Sequence, residues 1–107
     1  MKRLFLVLLL ISQLAVSAET KKVCATYKNS NKSYLVDAQI LSGMELAKAT
    51  YNFQYNALSK YVVIFWGQGE ASVIELDLPF DINVFGSTGK DQKGYPWSIS
   101  SNTSFCF

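Results

Sequence analysis

The side chains in this chain that could do chemistry are few. Glu75 and Asp77 stand two residues apart, a spacing that turns both carboxylates to one face of a strand. Such a pair can cleave a glycosidic bond when its two members sit in different environments. Asp81 and Asn83 follow closely and could bring oxygen ligands toward a hard cation. Ile74, Leu76 and Leu78 alternate with the carboxylates, however, which makes Glu75 and Asp77 the solvent face of an amphipathic strand. No catalytic residue and no metal ligand is assigned. Gly67-Gln68-Gly69 lacks the rest of a dinucleotide fingerprint and any long helix after it, so it reads as a hairpin turn.

The sequence contains no histidine. That excludes a Ser-His-Asp triad, histidine zinc ligation and histidine acid–base catalysis. Cys24 and Cys106 are the only cysteines, and in an oxidising compartment two such residues pair, leaving no thiol nucleophile. The expectation is a protein that is not an enzyme and uses no cofactor.

The oxidising compartment follows from the start of the chain. Lys2 and Arg3 precede the apolar run Leu4 to Ile11, and Val16-Ser17-Ala18 places small residues before a cut ahead of Glu19. These are the three parts of a secretory signal, and the apolar run is too short to span a bilayer. We expect residues 1–18 to be a cleavable signal and residues 19–107 to form one disulfide-closed domain, periplasmic or secreted and not membrane-spanning. The chain holds 10 lysines and arginines against 8 acids. Once Lys2 and Arg3 leave with the signal the remainder is formally neutral, with no arginine at all. Nucleic acid is therefore excluded as an expected partner, since binding it calls for a positive surface and guanine readout normally falls to arginine.

The elements that must position any site read as short strands. Val23 to Lys28 is a first strand, and Asn29 to Lys32 turns the chain. Ser33 to Leu41 is a second strand with Tyr34, Val36, Ala38 and Ile40 on one face, an alternation that Leu35 and Leu41 interrupt. Ser42-Gly43-Met44-Glu45 has capping-box spacing before a helix-favouring stretch, so a short helix over 43–50 competes with a strand running on into 50–56. Tyr61 to Trp66 is the strongest β signal, and Val62 to Trp66 should be a central strand covered on both faces. Glu70 to Leu78 completes a hairpin around Gly67 to Gly69. Phe80 to Phe85 suggests another strand after Pro79, with Phe80, Ile82 and Val84 on one side. Gly86 to Gly94 reads as a polar, glycine-rich loop, and Tyr95 to Ser100 as a last strand. The fold class is all-β: a small antiparallel barrel or sandwich, with one short helix around 43–50.

A neutral chain poor in catalytic groups but rich in aromatic residues points to binding. Tyr and Trp anchor interfaces because they offer large contact areas with a polar edge. The candidate binding residues are Lys90, Asp91, Lys93, Tyr95 and Trp97, where the glycine-rich loop can present the neighbouring aromatics. Trp97 shares a strand face with Tyr95 and Ile99, which is also the pattern of a core residue. In signal, size and single disulfide the chain is similar to small bacterial periplasmic proteins, among them inhibitors of cell-wall-degrading enzymes. No residue-level motif carries a functional residue over from them. The expected function is an exported protein-binding domain, an inhibitor or immunity factor against an exported enzyme. The alternatives are a carbohydrate-binding or structural envelope protein, and a glycan hydrolase built on Glu75 and Asp77.

Overall fold

The period-two alternation closes on itself. In a computed structural model, which describes residues 19–106, the strands are β1 (Glu19–Tyr27), β2 (Lys32–Ser42), β3 (Lys60–Gly67), β4 (Glu70–Leu76), β5 (Ser87–Lys90) and β6 (Pro96–Ser100), with one helix, α1 (Gly43–Thr50), between β2 and β3. The expected signal, residues 1–18, lies outside the described residues. Each strand pairs antiparallel with the next, and β1 pairs with β6, so the sheet is a closed six-stranded barrel and not a sandwich. Closure gives every strand a neighbour on both sides over part of its length.

Inward parity fills the barrel. Val23, Ala25, Ala38, Ile40, Val62, Ile64, Ile74, Leu76 and Ile99 form a buried aliphatic interior. Leu41, which interrupts the alternation of β2, points outward under the helix. There it packs with Leu46, Tyr61 and Val63 in a second core cluster. The strand expected to be covered on both faces is therefore covered by the barrel inside and by α1 outside, but only from Tyr61 to Ile64. Phe65 is a correction to that expectation: it faces outward and is 65% exposed.

Helix α1 wins residues 43–50 because its ends are satisfied. The Glu45 backbone N–H donates to Ser42 Oγ at 3.1 Å, and the Ser42 N–H donates to Glu45 Oε1 at 2.9 Å. Tyr51 then takes a left-handed conformation (φ 54°) and ends the helix, so the alternation of 51–56 never becomes a strand.

Two further expectations are corrected. Residues 80–85 form no strand; the chain runs there as bends and turns, with Ile82 buried in the main core and Phe80, Val84 and Phe85 exposed. Backbone bonds explain it: the Asn83 carbonyl accepts from Gly86 and from Ser101 instead of from a neighbouring ladder. Conversely, β5 lies inside the segment expected to be a loop. Its Gly89 is what lets β5 join β4, because a Cβ there would stand 2.4 Å from the Glu75 carbonyl oxygen. The Cys24–Cys106 disulfide forms, with 5.5 Å between Cα atoms, and pins the chain's end to the outer face of β1. Among the described residues, no helix is long and apolar enough to cross a membrane.

Candidate functional site

The β1–β2, β3–β4 and β5–β6 hairpin turns all lie at one end of the barrel. The last inward-facing positions before those turns are Tyr27 on β1, Tyr34 on β2, Trp66 on β3, Ser72 on β4 and Trp97 on β6. The aliphatic interior thus gives way to an aromatic layer at the mouth. This layer lines an open cleft of about 620 Å³, with Tyr95, Glu70, Gln92 and Lys93 at its rim.

The rings order one another. Trp66 and Trp97 stack with centroids 5.7 Å apart and planes 27° from parallel. Tyr34 meets Trp66 edge-on at 5.3 Å and 72°. Tyr27 lies 5.1 Å from Trp97 and meets Tyr95 edge-on at 5.9 Å. Trp97 is only 6% exposed, whereas Tyr34 and Tyr95 keep 39% and 45% of their surface open. Trp97 is thus buried, as its strand pattern allowed, and Tyr95 stands partly exposed beside it in the same cluster.

Polar side chains hold these rings. Trp66 Nε1–H donates to Ser72 Oγ at 2.8 Å, and Trp97 Nε1–H donates to Asp91 Oδ2 at 3.0 Å. Asp91 Oδ1 accepts from the backbone N–H groups of Lys93 and Tyr95, which fixes the β5–β6 turn. Gln92 does the work of a missing strand. Its Nε2 donates to the Ala71 carbonyl and its Oε1 accepts from the Val73 N–H, extending the ladder of β4 where β5 has already ended.

Four of the five expected binding residues therefore line one cleft: Asp91, Lys93, Tyr95 and Trp97. Asp91 builds the site from below, since the turn and the indole use both of its oxygens. Lys90 faces the other way, into a second, polar cleft of about 710 Å³ shared with Asn52, Gln54, Tyr55, Tyr61, Glu75 and Asp77. Tyr27, Tyr34, Trp66 and Gln92 were not among the expected site residues. Tyr27, Tyr34 and Trp66 carry a legible signal, being the inward-parity residues next to each hairpin turn. Gln92 carries none.

Glu75 and Asp77 do share an outward face. Each is engaged by a hydroxyl, Glu75 Oε2 by Ser59 at 2.6 Å and Asp77 Oδ2 by Thr88. Beside them burial pushes the Tyr61 phenol above its usual range; the Asn56 N–H bonded to its oxygen opposes this and the nearby Glu75 charge adds to it. Asp81 pairs with Lys60 at 3.4 Å. Among the described residues no group of three or more cysteine or acidic side chains could hold a metal ion. Comparison with protein-family models, curated proteins and solved structures found no match to this chain.

Proposed function

We propose that this chain is an exported protein-binding domain, acting as an inhibitor or immunity factor on another exported protein, and that the aromatic mouth is where it grips its partner. One observation carries the reading. Five aromatic rings converge at one end of the barrel, the two indole N–H groups tied back into the scaffold and the Tyr34 and Tyr95 rings left partly open. Rings so fixed lose little entropy on binding, which is what makes tyrosine and tryptophan effective anchors. Leu35 and Phe65, outward-facing and exposed on β2 and β3, extend the apolar surface beyond the rim. A surface that continues past a small-molecule cleft suits a protein partner.

The test is capture from the producing cells' exported fraction with mature, oxidised protein, comparing wild type with a Tyr34→Ala/Tyr95→Ala double variant of matched thermal stability. Recovery of one exported protein by wild type, lost in the double variant, is the expected result. Equal recovery by both would remove the mouth from the account. A carbohydrate-binding reading draws on the second cleft, where amides and carboxylates lie beside Tyr55 and Tyr61. It predicts binding to isolated glycans that Tyr55→Ala weakens and Tyr34→Ala does not.

A further inference from the structure

The lining of the mouth is rich in negative potential, and its indole and amide donors are spent. Aromatic faces carry the negative lobe of the ring quadrupole. Both indole N–H groups are already spent on Ser72 and Asp91, and both amide atoms of Gln92 on the backbone of β4. Glu70 stands exposed on the β3–β4 lip, and the Asp91 carboxylate lies beneath Trp97. Against these two acids Lys93 is the only cation in the lining. No ion pair among the described residues engages Glu70, Asp91 or Lys93. An anion would meet repulsion there. A sugar would meet no amide or indole donor, only the hydroxyls of Tyr27, Tyr34, Ser72 and Tyr95 with Glu70 and Lys93.

We infer that the group this mouth takes is an arginine side chain of the protein partner, its guanidinium laid against the open faces of Tyr34, Trp66 and Tyr95 with Glu70 beside it. The inference rests on the protein-binding reading above and names the anchor that reading leaves open. A guanidinium is flat, always charged and weakly hydrated, so it stacks on aromatic faces at low desolvation cost. From Glu19 onward this chain contains no arginine. A second copy of the mature part therefore cannot supply the group, and the occupant must come from a different protein.

The chain's two tryptophans both line the mouth, so intrinsic fluorescence reports on it directly. Mature, oxidised protein is titrated with N-acetyl-arginine methylamide and, separately, with the neutral citrulline counterpart. The expected result is a saturable change with arginine at about millimolar midpoint, the affinity a ligand of this size reaches. Citrulline should bind about 5-fold or more weakly, within the range a cation–π contact supplies. Tyr34→Phe should keep the arginine response because the ring face is retained, whereas Tyr34→Leu should weaken it several-fold. Should Tyr34→Leu fail to fold, the arginine–citrulline contrast on the wild type decides alone.

Equal responses to the two ligands, or none, overturn the inference. So does saturation by N-acetylglucosamine oligomers that Tyr34→Phe weakens. The two readings fail separately. A partner lost on Tyr34→Ala/Tyr95→Ala without any arginine preference removes the anchor and leaves the protein-binding reading standing. An arginine preference with no captured partner does the reverse.

Discussion

Asp91 holds together the turn and the ring beside the mouth. Its two carboxylate oxygens accept three hydrogen bonds, from the N–H groups of Lys93 and Tyr95 and from the Trp97 indole. Removing the acceptor strands the part-buried indole N–H and returns the two exposed backbone N–H groups to water, at about 1 to 2 kcal/mol. Asp91→Ala should therefore lower stability by about that amount in urea unfolding and alter the fluorescence of Trp97. Loss of binding with unchanged stability would mean instead that Asp91 meets the partner directly. Tyr61 supplies a pH-dependent counterpart. Its phenol is held above the usual value of 10.0, chiefly by burial. The unfolded chain then loses this proton before the folded one does. Stability is independent of this group below about pH 10.0 and falls as pH rises from there through the raised folded-state value. Tyr61→Phe should flatten this alkaline decline in a series of thermal melts, and an identical decline in both proteins would refute the assignment.

At the scale of elements, what could be read from the sequence depended on whether local pattern and packing agreed. β2 alternates over most of its length and β3 is a continuous β-rich apolar run, and both form where expected, while the Ser42–Glu45 box specifies α1 because both of its reciprocal bonds are local. Residues 80–85 alternate just as well, yet Pro79 precedes them and only Ile82 finds the core, so the pattern has no partner strand to satisfy. β5 is the opposite case. Ser87-Thr88-Gly89-Lys90 has no strand signature, and it is a strand because closure of the barrel demands a bridge between β4 and β6. The requirement is non-local, and Gly89 is its single trace. Gly89→Ala should push β5 off β4, since the new Cβ meets backbone at 2.4 Å. The expected outcome is a destabilisation of about 1 to 3 kcal/mol with faster amide exchange along β5 and β6. Exchange unchanged in those strands would show that the barrel does not depend on this close approach. The site was partly legible for the same reasons. Asp91, Lys93, Tyr95 and Trp97 are close in sequence, whereas Tyr27, Tyr34 and Trp66 join them only after the sheet closes.

The whole molecule is a barrel with a division of labour between its ends. At the end bearing α1 and the 77–86 segment Ile82 packs into the interior core while the cluster around Leu46 covers the outer wall, and the hairpin end is left open and aromatic. The disulfide serves the scaffold rather than the mouth. It links residues separated by 82 positions, and constraining a loop of that length is worth up to about 4.5 kcal/mol through the unfolded chain. Cys24→Ser/Cys106→Ser should lose most of that stability, yet bind its partner with unchanged affinity at temperatures where it remains folded. A stability loss under about 1 kcal/mol would show that the bridge is incidental to the domain.

The claim on which the rest depends is that the aromatic mouth is the gripping surface, and fluorine NMR addresses it most directly. Protein grown with fluorotryptophan should give two resonances, from Trp66 and Trp97, both within the mouth. Titration with the captured partner is predicted to shift both resonances, in step with complex formation followed by an independent method such as calorimetry. A partner that binds stoichiometrically while both resonances stay at their free positions would contradict the account and move the interface to another face of the barrel.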